Sequence, residues 1–376
     1  MKVGYIGLGI MGRPCAENLL KAGLELVVWA RRPESCTPLL AAGATLATSP
    51  ADLARQVDVV VTNVSDTPDV EAVVTGEDGV LAGARPGLIV IDMSTISPLG
   101  ARAIAASCEA KRVFFLDSPV SGGEVGAIAG TLSFMVGGDA GAFERAQPVY
   151  RAMGKNIVRI GDSGAGSVAK SCNQIVVALN VQAVAEAFKL ASACGVDKAR
   201  VREALLGGFA ASRVLELHGQ RMIDDNYAPG FKARLHNKDM GIVNATAAAL
   251  ETSLPATREV STLIARLVES GEGELDSSAI ARLSGPVAIV MLAITGALAA
   301  MCFVKVYGIS FCGQARSAKA AEATEVPAAM TLSMLGLAAL CVVLGVGAAC
   351  VAPVISAVAD SLAAGQQHFE AVRQGV

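Results

Sequence analysis

The chain has 376 residues, enough for two or three domains, and a formal net charge of −3, which supplies no basic surface for nucleic acid or an anionic membrane. Its nine cysteines are scattered without a C-x-x-C pair, the usage of a reducing compartment, and its three histidines, His218, His236 and His368, lack metal-ligand spacing. With 17% charged residues and a mean hydropathy of +0.51 the chain is apolar for a soluble enzyme, and the excess is unevenly spread.

Residues 1–162 alternate short apolar runs with helical patterns. Strands are predicted at Lys2–Ile6, Glu25–Trp29, Val57–Thr62, Leu88–Asp92, Val113–Asp117, Leu132–Val136 and Ile157–Ile160. Several are unbroken Val/Ile runs, as in strands buried on both faces of a parallel sheet. The βαβ alternation predicts a doubly wound α/β domain. The first apolar run is short and runs into regularly placed glycines, so no secretory leader is expected.

Those glycines are Gly7-Leu8-Gly9-Ile10-Met11-Gly12, between a predicted strand and a predicted helix. In that context G-x-G-x-x-G is a dinucleotide fingerprint of the Rossmann fold: Gly7 for the turn, Gly9 for the approach of a pyrophosphate, Gly12 for close helix–strand packing. The second strand ends Trp29-Ala30-Arg31-Arg32. An acid here would bind the ribose 2′-hydroxyl of NAD, whereas guanidinium groups suit the 2′-phosphate of NADP. The expected cofactor is therefore NADP, with NAD possible if Arg31 and Arg32 are ordinary solvated loop residues.

After the fifth predicted strand comes Ser118-Pro119-Val120-Ser121-Gly122-Gly123. The hydroxyl of Ser121 and the unobstructed backbone N–H groups of Gly122 and Gly123 suit a carboxylate, although a plain Pro/Gly turn reads the same way. From Ala165 to Cys194 one helix of about 30 residues, about 45 Å long, is predicted. Lys170, Asn173 and Gln174 share one of its faces. A lysine there would polarise a carbonyl and protonate it, and Asn173 and Gln174 would orient that lysine or the substrate; spacing alone favours a snorkelling or solvated lysine. His236, beside Lys238 and Asp239, is a rival proton donor or a packed histidine. Helices at Lys198–Leu206, Arg213–Ile223, Leu235–Thr252, Ala256–Ser270 and Ser277–Leu283 make 163–284 an all-helical substrate and dimerisation domain joined by the long helix.

Together these motifs, with Asp92-Met93-Ser94-Thr95, Asp117 and Gly164-Ala165-Gly166, resemble the β-hydroxyacid dehydrogenase family over residues 1–284. The resemblance implies Lys170 as the catalytic residue. It implies that Ser121, Gly122, Gly123, Asn173, Gln174, Phe231 and Asp239 form the substrate side. Gly7, Gly9, Ile10, Met11, Gly12, Arg31, Arg32, Val64, Ser65, Thr95 and Lys238 would lie against NADP or NAD. Leu206–Ala210 and Tyr227-Ala228-Pro229-Gly230-Phe231 with Leu235-His236 resemble its tartronate semialdehyde reductase branch, which implies reversible hydride transfer between tartronate semialdehyde and glycerate. Alternatives are a 3-hydroxyisobutyrate dehydrogenase, a succinic semialdehyde or glyoxylate reductase, or a non-catalytic NADP-binding module tethered to a membrane complex. A homo-oligomer and a cytoplasmic enzyme domain are expected.

From Gly285 the texture changes. Pro286–Val304 and Val326–Ala359 are uncharged and long enough to span a bilayer, so 285–376 is read as a two-helix transmembrane tail with membrane contact through 286–359. It resembles a fragment of the antiporter-like membrane subunits of hydrogenase-4 and complex I. Two spans lack the partner helices of a proton relay, so an anchor and no transport is expected. The charged connector, with Lys305, Arg316 and Lys319, would lie outside, against the positive-inside rule.

Overall fold

A computed structural model describes residues 1–283, so the apolar pair expected within 286–359 lies outside the described residues. Met1–Leu283 pack as one compact unit. The chain opens with β1 (Lys2–Ile6), α1 (Gly12–Lys21), β2 (Glu25–Trp29), α2 (Thr37–Ala41), β3 (Thr45–Leu46), α3 (Pro50–Arg55) and β4 (Val59–Thr62). Next come α4 (Thr67–Thr75), α5 (Val80–Gly83), β5 (Ile89–Asp92), α6 (Pro98–Glu109) and β6 (Phe114–Asp117). The sheet is completed by β7 (Val120–Ser121), α7 (Gly123–Ala129), β8 (Leu132–Gly137), α8 (Ala140–Met153) and β9 (Gly154–Gly161).

The strands lie in the order β3-β2-β1-β4-β5-β6-β8-β7, with β9 beside β8. The first six strands are parallel in the Rossmann order, which reverses between β1 and β4 and opens a crevice at their carboxyl ends. Beyond β6 the sheet is no longer purely parallel. There β8 runs antiparallel to both β6 and β7, because the chain turns back through Pro119 and α7 without a crossover to the same end. The α8 crossover then restores a parallel pair, β8 with β9. Strands β3 and β7 are two residues each, too short for a periodicity to register.

Alternation along each strand feeds two cores. Val59 and Val61 join Tyr5, Leu19, Ile91 and Tyr150 on one face, while Val60 joins Leu53, Val70, Val90 and Ile104 on the other. Each fully buried aliphatic side chain contributes about 1.5–3 kcal/mol. Polar caps followed by proline start the helices behind the crevice: Ser49 caps α3, Asp66 caps α4 and Ser97 caps α6.

The helical part comprises α9 (Ala165–Ala193), α10 (Lys198–Leu206), α11 (Arg213–Ile223), α12 (Ala233–Ala249), α13 (Pro255–Leu267) and a 3₁₀ turn over Ser277–Arg282. The predicted α-helix at Ser277–Leu283 is thus a tighter turn, its start capped by the Asp276 side chain. Helix α9 buries Ala178, Val181, Val184 and Phe188 against Leu215, Met222, Met240, Val260 and Ile264. Among the described residues α9 alone is long and apolar enough to cross a bilayer, and only part of its apolar surface goes into this core.

Candidate active site

The crevice begins at the glycine turn between β1 and α1. Gly7 has φ +100°, and a Cβ there would meet the Asn63 carbonyl oxygen at 2.1 Å. A Cβ on Gly12 would lie 1.8 Å from the Gly7 carbonyl oxygen, whereas one on Gly9 would enter open space. The N-terminus of α1 has no side-chain cap and no acid in its first turn. Free N–H groups, positive helix dipole and an open approach over Gly9 suit a pyrophosphate, so the turn fits a dinucleotide. Ile10 is exposed and Met11 half-buried on the same turn. Past the end of β2, Arg31 is exposed and lies 3.6 Å from Asp69, with Arg32 exposed beside it.

At the carboxyl ends of β5 and β6, Asp92 and Asp117 are register partners and both are buried. Asp117 accepts hydrogen bonds from the N–H groups of Gly164 and Ser167, each at 2.8 Å, and so clamps the first turn of α9 to the sheet. Lys170, one turn further on, is thereby brought against β7. Its Nζ donates to the Val120 carbonyl at 3.0 Å, beside Ser121, Gly122 and Gly123. Gly122 and Gly123 take φ +132° and +60°, a backbone course that suits residues without a Cβ.

Lys170 is only 8% exposed. Burial pulls its amine below the ordinary lysine range, the Asp239 carboxylate opposes that, and the Lys238 charge adds to it. Asp239 is itself buried, and burial raises its carboxyl against the pull of Lys238 and Lys170. Gln174 donates to Asp239 at 2.7 Å and accepts from Asn173 at 2.8 Å, so both ends of its amide are engaged within the protein. Neither Asn173 nor Gln174 hydrogen-bonds Lys170 among the described residues; Gln174 reaches Asp239 on α12 instead.

Lys238 crosses between the two halves of the unit. Its Nζ donates to the carbonyls of Ser65 at 2.9 Å and Thr95 at 2.8 Å and pairs with Asp239 at 3.1 Å. Val64, beside Ser65, donates its N–H to the Ser94 hydroxyl at 2.9 Å, and that hydroxyl donates to Asp92 at 2.7 Å. A continuous line of contacts therefore runs from the Gly7 turn through Asn63–Ser65, Thr95, Lys238, Asp239 and Gln174 to the helix that carries Lys170. His236 is fully buried, and desolvation with the nearby Lys170 charge brings its imidazole down to about 4, uncharged at neutral pH. Its ring packs on Phe231 at 5.4 Å, which matches the packed reading rather than the rival acid.

An uncapped glycine turn at the switch point of a Rossmann sheet, together with a buried amine beside a serine–diglycine turn, is the equipment of a nicotinamide-dependent oxidoreductase. Residues 2–161 match the model described as the NAD binding domain of 6-phosphogluconate dehydrogenase. Residues 164–284 match the model for the NAD-binding domain of NADP-dependent 3-hydroxyisobutyrate dehydrogenase. The chain belongs to the β-hydroxyacid dehydrogenase family and is an NAD(P)-dependent dehydrogenase of that type. It is 45% identical over 280 residues to the 2-hydroxy-3-oxopropionate reductase of Escherichia coli (strain K12), covering 74% of this chain and 96% of that one. It is 39% identical over 291 residues to the 3-hydroxyisobutyrate dehydrogenase of Pseudomonas aeruginosa, covering 75% and 97%. Among solved structures, the Mycobacterium tuberculosis 3-hydroxyisobutyrate dehydrogenase with L-serine aligns at a TM-score of 0.71 and 33% identity, over 75% of this chain and 98% of that one.

Sequence reasoning did not assign the clamp made by Asp117 or the buried Asp276. For Asp117 the available signal is an acid closing an apolar run, Phe115-Leu116-Asp117, which is costly unless it has partners; Asp276 stands among polar residues and carries no such signal.

Proposed function

We propose that the chain reduces 2-hydroxy-3-oxopropionate (tartronate semialdehyde) to glycerate, reversibly, with NADPH preferred over NADH. The observation that carries this reading is the Lys170 ammonium held 3.0 Å from the Val120 carbonyl, against the Ser121–Gly123 turn. The bound nicotinamide supplies a hydride in reduction and accepts one in oxidation.

In this reading the Ser121 hydroxyl and the Gly122 and Gly123 N–H groups seat the substrate carboxylate. Asn173 and Phe231 line the same pocket. Lys170 gives its proton to the carbonyl oxygen as negative charge develops there, and takes it back in the reverse direction. Its burial weakens its hold on that proton and so makes it a better acid than a surface lysine. Asp239, braced by Gln174, pulls the Lys170 amine back toward its charged form. Gly7, Gly9, Ile10, Met11 and Gly12 receive the pyrophosphate, and Arg31 and Arg32 the 2′-phosphate. Val64, Ser65 and Thr95, tied down by Lys238, flank the nicotinamide end. The absence of an acid at Ala30 supports the NADP preference.

The test is NADPH and NADH oxidation by purified protein with 2-hydroxy-3-oxopropionate, the semialdehydes of methylmalonate and succinate, and glyoxylate. A higher kcat/KM for any of the other three than for 2-hydroxy-3-oxopropionate would reassign the substrate. Association into a homo-oligomer and attachment of the 286–359 segment to membrane belong to the same reading. Its support is the exposed apolar residues Val168, Val176 and Leu190 on α9 for the first and the uncharged sequence for the second. Gel filtration and fractionation in the absence of detergent test them.

A further inference from the structure

We propose that Asp276 is a positioning residue for the hydroxy acid, fastening the Tyr227–Phe231 segment as the wall opposite the Ser121–Gly123 turn. The inference deepens the dehydrogenase reading above and rests on it. Asp276 is fully buried. Its Oδ2 accepts the N–H groups of Gly230 and Phe231, each at 3.0 Å, with Arg221 Nη1 at 3.5 Å. Its Oδ1 accepts the N–H of Ser278 at 3.0 Å and the Ser278 hydroxyl at 2.6 Å, with His218 Nδ1 at 3.1 Å. Backbone bonds finish the attachment: the Asp276 N–H donates to the Tyr227 carbonyl at 3.0 Å and the Ser277 N–H to the Phe231 carbonyl at 2.9 Å. The Arg221 guanidinium also donates to the Ala228 carbonyl.

One buried aspartate thus holds both ends of a segment that has no helix or strand of its own, its carboxylate at Gly230 and Phe231 and its backbone N–H at Tyr227. A charge in that position is unfavourable unless its bonds achieve something, and half of them go to the backbone of this segment. Two contacts show what the segment reaches. The Gly230 carbonyl oxygen lies 3.8 Å from where a Cβ on Gly123 would sit. The Phe231 ring packs on His236, one turn before Asp239 on α12. The segment therefore faces the second glycine of the proposed carboxylate seat from the helical side, well removed in sequence and in contacts from the Gly7–Gly12 turn. A Cβ on Gly230 would lie 3.0 Å from Arg221 Nη2 and 3.3 Å from Asp276 Oδ2, so a side chain at 230 would press these two groups outward by a few tenths of an ångström.

Asp276→Asn in the full-length protein tests this. Its amide presents an N–H₂ group where two N–H donors now point, so the segment shifts while side-chain volume is kept. The expected result is a rise in KM for 2-hydroxy-3-oxopropionate of about tenfold or more, the size of a lost charge-assisted hydrogen bond. The NADPH Kd, read from nucleotide fluorescence, stays within about twofold, and kcat falls less than KM rises. Gly230→Ala moves the same wall from the other side and is expected to raise KM in the same way; it decides the matter if the Asn variant does not fold. Unchanged KM in Gly230→Ala with an active wild type overturns the inference alone. So does a parallel loss of NADPH affinity and kcat, which marks a merely structural acid. A wild type that reduces none of the four substrates sinks the dehydrogenase reading first and this inference with it.

Discussion

Lys170→Met separates chemistry from stability at the proposed acid. Methionine has similar length and no charge, so it fills the same space on α9. Removing acid–base help lowers kcat by about 10²–10⁴-fold, or about 2.7–5.4 kcal/mol of barrier at 1.36 kcal/mol per tenfold. The stability side runs the other way. The amine is buried, and among the described residues its one hydrogen bond goes to the Val120 carbonyl. Losing a charged bond of about 1.5–3 kcal/mol is offset by no longer burying a cation, a penalty of several kcal/mol. The Met variant should therefore melt at or above the wild-type temperature while being nearly inactive. The depressed amine adds a pH signature. Reduction needs Lys170 protonated, so its rate falls as pH rises through a value below 10.5, and oxidation rises over the same range. Between that value and 10.5 the unfolded chain holds the proton more tightly, so wild-type stability climbs with pH there and the variant's does not. Steady-state NADPH absorbance and scanning calorimetry read both effects. A kcat within tenfold of wild type, or a Tm lower by more than about 3 °C (about 2 kcal/mol at this chain length), would refute the reasoning.

Gly9→Ala should leave Tm within about 1 °C, since its Cβ enters open space, yet weaken NADPH by about tenfold or more because that space is the pyrophosphate's approach; equal Kd values would place the dinucleotide elsewhere. Arg31→Ala with Arg32→Ala should raise the NADPH KM by about 10–100-fold and leave the NADH KM nearly unchanged, the size of a lost charged hydrogen bond. Asp92 has one carboxylate oxygen without a partner among the described residues, and burial carries its carboxyl from 3.8 to about 7. The native state therefore holds that proton more tightly than the unfolded chain, and stability declines as pH rises from about 4 to about 7. Asp92→Asn, which imitates the protonated acid, should flatten the Tm–pH curve over that range, and identical slopes in the two proteins would count against the assignment.

Local signals were legible and long-range ones were not. The reading of one helix over Ala165–Cys194 agrees with Ala165–Ala193 because glycines punctuate both ends of an uninterrupted helical stretch. The glycine turn was legible because each of its glycines answers a local steric demand. What Lys170 meets was not, because helical spacing says which residues share a face and nothing about what covers it. The amine's partner lies 50 residues away, Asp117 grips N–H groups 47 and 50 residues on, and Asp276 grips its segment across 45 and 46. The antiparallel return of β8 escaped for a related reason: a buried Val/Phe run looks alike in either direction.

The clamp of Asp117 on Gly164 and Ser167 makes the opening of α9 a rigid spacer of fixed pitch. Inserting or deleting one residue between Ser167 and Lys170 would swing the amine by about 100° around the rod and slide it by about 1.5 Å. Point changes further along the helix can retune its packing gradually, but the stretch from clamp to amine admits no change of length. Relatives with this chemistry should hold that three-residue interval constant even where every side chain in between has been exchanged.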